Sequence, residues 1–322
     1  MIKKIFVTGG SGFIGSAIVK YLVDCNYDVT VLDNNSRGSK LKLDGYLGKI
    51  NFIEGDVRDP KNFENLNNFD TIIHLAYVNG TKYFYEIPYE ILDIGIKGIM
   101  NVLDAIKKFN IQNLIVASTS EVYQSPKIIP TPEEIEMIVP NVLNPRYSYG
   151  GGKIATELLA VNFCKQNNLN LKIFRPHNIY GPDMGHEHVI PEIIYKILRA
   201  KSENEKKIQM QGDGLDTRSF MYISDFILAF DKILGDINSD NIIYNIGNSD
   251  EIAIIDIYKK LAFFSDYDVQ LIAGEKPQGA TARRCPNNKK ITNLGYIKKI
   301  NIDDGLKQTY TWYEKIYYSN IN

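Results

Sequence analysis

Residues 7–16 read VTGGSGFIGS, four glycines in ten positions between a short apolar run and an amphipathic one. Gly10, Gly12 and Gly15 fit G-x-G-x-x-G, and Gly9, Gly12 and Gly15 fit G-x-x-G-x-x-G. Without side chains the backbone can turn tightly and bring its N–H groups against a pyrophosphate at a helix N-terminus. Asp33 ends the next apolar run, DVTVLD (28–33). Strand, glycine turn, helix, strand and terminal carboxylate together make a dinucleotide-binding unit, and that unit demands a parallel sheet. The carboxylate accepts from both ribose hydroxyls and repels a 2′-phosphate, so NAD is expected over NADP, with Arg37 as the residue acting the other way. The cofactor-binding candidates are Gly9, Gly12, Phe13, Ile14, Gly15, Asp33, Asn34, Asp56, Val57, Leu75 and Ala76. Asp56, in GDVRD, either contacts adenine or belongs to a solvated turn.

Five further apolar runs rich in β-branched residues follow: 28–33, 50–56, 70–76, 113–119 and 170–176, alternating with helical patterns at 14–24, 96–108 and 153–166. Near-continuous apolar runs mark strands buried on both faces. The expected fold is α/β, a doubly wound parallel sheet with a smaller C-terminal substrate-binding domain. The rhythm breaks after residue 176. The expected large domain is 1–176 plus about 213–247, and the smaller one is about 177–212 and 248–322.

A net charge of −1 lacks the basic footprint of a nucleic-acid binder. No apolar run approaches the roughly 18 residues of a membrane span. Cys25, Cys164 and Cys285 are odd in number and in no metal-ligand spacing, so a reduced, cytoplasmic protein is expected and no metal is assigned. Cys25 and Cys164 fall in helical patterns, where buried packing is expected.

Residues 147–153 read YSYGGGK. Tyr149 and Lys153 share a helix face, yet three glycines separate them, each costing up to about 1 kcal/mol relative to alanine in a helix. A phenol with a free pKa near about 10 is a poor base at neutral pH. An ammonium and the positive nicotinamide of an oxidised cofactor favour the phenolate, which would take a proton from a substrate hydroxyl as hydride leaves for NAD. The glycines are expected to admit cofactor and substrate; alternatively the helix starts only at Lys153. STSEVY (118–123) closes the fifth run, where strand ends line the ligand crevice. Ser118 or Thr119 can hydrogen-bond the oxygen being oxidised. Glu121 is either a base for an acidified C5 hydrogen or an exposed turn residue.

Taken together, VTGGSGFIGS, VLDNNSRGS, IIHLAY, STSEVY, YSYGGGK, RPHNIYGP and TRSFMYISD resemble, in that order, the extended short-chain dehydrogenase/reductase family, and within it the nucleotide-sugar epimerases and dehydratases. The resemblance implies a Rossmann-type fold, NAD as cofactor, a nucleoside-diphosphate sugar as partner, and a homodimer through helices near 91–108 and 150–166. By position it makes Tyr149 the catalytic base, Lys153 its partner and ribose anchor, and Thr119 and Glu121 the other catalytic residues. Ser120, Asn178, His188, Arg218 and Arg284 become the substrate-binding set, with Arg283 equally placed to act for Arg284. His188 resembles the acid of GDP-fucose synthases; its plainer role is to cap a helix at 189–200. Dehydratases of the dTDP-glucose type carry T-D-E where this chain has Thr119-Ser120-Glu121, a triplet shared with GDP-mannose dehydratases and UDP-glucuronate decarboxylases. Tyr77 replaces the second alanine of the family's HLAA, and Gly95 stands where many members carry asparagine. The implied activity is transient C4 oxidation of the sugar followed by epimerisation or dehydration. A uronate decarboxylase, an NADPH-dependent ketosugar reductase and a non-catalytic NAD-binding regulator are the alternatives.

Overall fold

The computed structural model describes residues 3–240, 242–276 and 281–319. All six apolar runs of the first half form strands: β1 (Lys4–Thr8), β2 (Asp28–Asp33), β3 (Ile50–Glu54), β4 (Thr71–His74), β5 (Asn113–Ala117) and β6 (Asn170–Pro176). They pair in parallel in the order β3-β2-β1-β4-β5-β6, and the strand Ile243–Ile246 extends the sheet beyond β6. Four helices matter for the site: α1 (Phe13–Asp24), α2 (Thr81–Glu86), α3 (Pro88–Phe109) and α4 (Ser148–Gln166).

Phe6, Ile72, Leu114 and Val116 on one face of the sheet cluster with Ile99, Val102 and Ile106 of α3 and Ala160 and Cys164 of α4. α1 covers the other face with Gly15, Ile18, Val19 and Leu22, a helical i, i+3, i+4, i+7 stripe. Burial on both faces explains why these strands read as unbroken Val/Ile/Leu runs. Proline at the first position of α3 and Asn110 in left-handed conformation just past its end (φ 55°) bracket that helix. Because β1 and β4 are neighbours while the chain winds outward from each in opposite directions, a crevice opens at their C-terminal ends.

The chain divides into two compact units: Met1–Gln124, Glu136–Pro176 and Phe230–Tyr244, and Ser125–Ile135, His177–Ala229 and Asn245–Asn322. The return to the first unit, expected near 213–247, falls at 230–244. Residues 125–135 belong with the second unit because Thr131 accepts from Asn287 N–H and donates its own N–H to the Cys285 carbonyl, each at 2.8 Å. The second unit contains a three-stranded sheet of Glu251–Ala253, Thr217–Ser219 and Arg283–Arg284. Cys164 and Cys285 are buried, but Cys25 is exposed: it lies just past the end of α1, beyond its buried stripe. Among the described residues no helix is long and apolar enough to cross a membrane.

Candidate active site

The glycine loop follows β1 and is shaped by close approaches. Gly9 has φ +75°, and a Cβ on it would lie 2.6 Å from the Ala76 nitrogen. On Gly15, at the start of the buried stripe of α1, a Cβ would overlap the Gly9 carbonyl. Gly12 precedes the helix in extended conformation and provides no side-chain cap, so the first-turn N–H groups that a helix cannot satisfy itself face a ligand position. Phe13 and Ile14 open the helix. Ser11 Oγ is buried with no hydrogen-bond partner among the described residues. The Asp33 carboxylate, 8% exposed, accepts from Ser11 N–H at 2.9 Å and from Asn35 N–H at 2.8 Å. It is thereby fixed at the end of β2 beside the glycine loop. This cradle fits a dinucleotide.

The periphery is more engaged than its sequence suggests. Asp56 is gripped by Arg58 through three hydrogen bonds of 2.7–3.0 Å, and that guanidinium holds its carboxyl below the usual range. Asn34 Nδ2 approaches the same carboxylate at 3.4 Å. Val57 is buried, while Leu75 and Ala76 are half-buried after β4. Arg37 donates to the Tyr83 hydroxyl at 2.8 Å and the Asn79 carbonyl at 3.0 Å, which ties it to the α2 segment.

The catalytic candidates converge where β5 meets α4. Thr119 begins the turn Ser120–Tyr123 and accepts from Glu121 N–H at 3.1 Å. Tyr149 is 5% exposed and stacks on Phe84 of α2, with ring centroids 5.0 Å apart and planes at 11°. Burial raises its pKa, the Thr119 hydroxyl pulls it back, and the Glu121 carboxylate pushes it up further. Lys153 Nζ donates to the Ala117 carbonyl at 2.6 Å; burial pulls its pKa down to about 7, against the charge of Glu157. Burial, with the Glu121 charge adding to it, leaves Tyr149 a neutral phenol at pH 7. The phenolate is expected from the ammonium together with the positive nicotinamide of an oxidised cofactor.

α4 starts at Ser148, so the glycines lie inside the helix. They admit protein groups: a Cβ on Gly150 would lie 2.8 Å from Gln124 Nε2, and one on Gly152 would overlap the Tyr77 hydroxyl. Behind the site runs a network the sequence reading missed. Glu157 accepts two hydrogen bonds from Arg175, at 2.8 and 2.6 Å, and one from Ser118 Oγ; Arg175 also donates to the Tyr123 hydroxyl at 2.6 Å. The signal was Glu157 itself, a carboxylate one helical turn beyond Lys153 on the same buried face.

The remaining candidates lie in the second unit. Arg218 and Arg284 stand opposite each other in register on adjacent strands. Arg283 is held by Glu251 in a two-point ion pair at 2.8 and 2.6 Å, while Arg284 donates to the Thr281 hydroxyl at 3.3 Å. Asn178 Nδ2 donates to the Ser219 carbonyl at 2.9 Å, in a left-handed backbone with φ 46°. His188 precedes the helix Val189–Ser202 but forms no side-chain cap. Among the described residues no cluster of His, Cys, Asp or Glu could hold a metal.

The model of the NAD dependent epimerase/dehydratase family matches residues 5–247. The chain is 30% identical over 327 residues to a UDP-N-acetyl-alpha-D-glucosaminuronate decarboxylase of Bacillus cytotoxicus, covering 98% of this chain and 99% of that protein. It is 29% identical to a dTDP-D-glucose 4,6-dehydratase of Dictyostelium discoideum, covering 100% of this chain and 84% of the relative. It also superposes on the UDP-glucose 4-epimerase of Thermotoga maritima solved with UDP-glucose, with TM-score 0.86, 26% identity and coverage of 98% and 99%. The chain belongs to the NAD dependent epimerase/dehydratase family. It is an enzyme of the nucleotide-sugar epimerase and dehydratase class, and its cofactor is NAD.

Proposed function

We propose that this enzyme oxidises the C4 hydroxyl of a nucleoside-diphosphate hexose to a transient ketone, with Tyr149 as the base. The observation that carries this reading is the convergence of Tyr149, Thr119, Glu121 and Lys153 at the end of β5, in the unit that holds the glycine loop and Asp33. The loop residues and Asp33 bind the dinucleotide, and Lys153 anchors its ribose. When bound, NAD supplies the hydride acceptor and donor and a positive ring. Tyr149 Oη takes the hydroxyl proton, and Thr119 orients the same oxygen. Each Lys153 that keeps its proton near neutrality lowers the cost of the phenolate. A ketone at C4 acidifies the C5 hydrogen; when dehydration follows, Glu121, whose charge already reaches Tyr149, removes that proton as the C6–O bond breaks and the C6 hydroxyl leaves as water.

Arg218 and Arg284 bind the diphosphate, since paired guanidinium forks match its oxygens. Asn178 and His188 of the second unit and Ser120 of the first are further substrate-binding candidates. A homodimer is supported by large apolar side chains left exposed on α3 and α4: Tyr89, Met100 and Leu158 are 72%, 50% and 54% exposed, and Tyr89 and Met100, about three turns apart, fall on one face of α3. A cytoplasmic location is supported by three cysteines without a disulfide.

The test is mass spectrometry of products from UDP-, dTDP- and GDP-hexoses and hexuronates. A new isomer of equal mass identifies epimerisation, loss of water dehydration, and loss of carbon dioxide decarboxylation. Tyr149→Phe should retain NAD while turnover falls by about 10²–10⁴-fold. Full activity of that variant would overturn the base assignment.

A further inference from the structure

One ring occupies the space that the glycines of two helices leave open. Tyr77 follows β4 after Leu75 and Ala76. Its ring stands edge-on to Tyr149, with centroids 5.3 Å apart and planes at 81°. Its face is turned to Lys153, whose Nζ is 4.1 Å from the ring centroid. A Cβ on Gly95 of α3 would overlap the ring, and one on Gly152 of α4 would overlap the hydroxyl. That hydroxyl is buried and has no hydrogen-bond partner among the described residues. An unpartnered buried hydroxyl is a cost, so the favourable part of the residue here is its ring.

We propose that Tyr77 is a positioning residue of the Tyr149–Lys153 pair: its ring face seats the Lys153 ammonium and its edge braces the Tyr149 ring. The negative face of an aromatic ring attracts a cation, more strongly when water is excluded, and Lys153 is 2% exposed. The other titratable groups facing Lys153 among the described residues are few. His74 of β4 is neutral, because burial pushes its pKa down to about 3. Tyr149 on α4 is a neutral phenol. Glu157, one turn along α4, has its oxygens engaged by Arg175 and Ser118. The Ala117 carbonyl and the Tyr77 face are left as the direct seats of the ammonium. The ring thus works against the burial that lowers the Lys153 pKa to about 7.

The catalytic meaning of this seat rests on the proposed function; the seat itself does not. It is tested by NMR titration of the Lys153 ε-methylene in full-length protein carrying ¹³C-lysine, with the signal assigned by its loss in Lys153→Arg. Tyr77→Phe should keep the midpoint of the unmutated chain. Tyr77→Leu should lower it by about 0.5–1 pH unit, and the alkaline limb of its pH–rate profile should move to lower pH by the same amount. Tyr77→Met serves as a second ring-less variant if Tyr77→Leu does not fold. An unmoved midpoint in the ring-less variant, or an equal fall in Tyr77→Phe, overturns the proposal. A titration as described in a chain that converts no nucleotide sugar would leave the seat standing and overturn the proposed function.

Discussion

Lys153 shows at the scale of one residue how burial sets chemistry. Its native pKa of about 7 lies below the unfolded value of about 10.4. Between those values the unfolded chain binds one more proton than the native one, so stability rises with pH through that window and is lost as pH falls through the native pKa. Lys153→Met should abolish this contribution. Urea unfolding at about pH 7 and about pH 9 should show the unmutated chain gaining relative to the variant, by up to about 1.4 kcal/mol per pH unit; parallel curves would contradict a depressed lysine. Tyr149, Lys153, Thr119 and Asp33 were legible in the sequence because each is fixed by local spacing: a helical turn, a strand end, a loop after a glycine run. Why Gly152 is glycine was not legible. The group it accommodates, Tyr77, is brought to it by β4 and is distant along the chain.

At the scale of elements, the six strands could be read because a doubly covered parallel sheet needs unbroken apolar runs, and such runs leave little choice of structure. α2 could not. Six residues, Thr81–Glu86, are too few to show a helical period, yet they carry Phe84 onto the Tyr149 ring. Nor could the place of 125–135 in the second unit be read, since nothing local announces its pairing with residues 285–287. α4 itself makes a prediction. Alanine is the better helix former by up to about 1 kcal/mol, but at position 152 its methyl would overlap the Tyr77 hydroxyl. Gly152→Ala should therefore destabilise the protein by about 1–3 kcal/mol, the usual cost of overpacking. In a Tyr77→Phe background, where the nearest remaining contacts are 3.2–3.3 Å, most of that loss should vanish. Thermal unfolding of the four proteins decides it; equal losses in both backgrounds would contradict the packing described here.

For the whole molecule, the sequence shows a dinucleotide unit and a change of rhythm after residue 176. It does not show where the chain passes between the compact units, because those passages include one within the helix Ile223–Gly235 and one within the strand Ile243–Ile246 rather than a linker. Nor does it separate the three reactions, which share residues and differ in how the sugar is held. The exposed apolar side chains of α3 and α4 predict a dimer. Met100→Glu together with Leu158→Glu should shift sedimentation from dimer to monomer, and an unchanged dimer would place the interface elsewhere. The central claim is that C4 gives up its hydrogen as hydride, and that this hydride returns to the sugar within one turnover, to C4 in epimerisation and decarboxylation and to C6 in dehydration. It is tested most directly with a nucleotide sugar carrying deuterium at C4. The product should retain the label, whichever of the three reactions follows, and Tyr149→Phe should form product about 10²–10⁴-fold more slowly. Conversion with loss of the label to solvent, or equal conversion by Tyr149→Phe, would contradict the account.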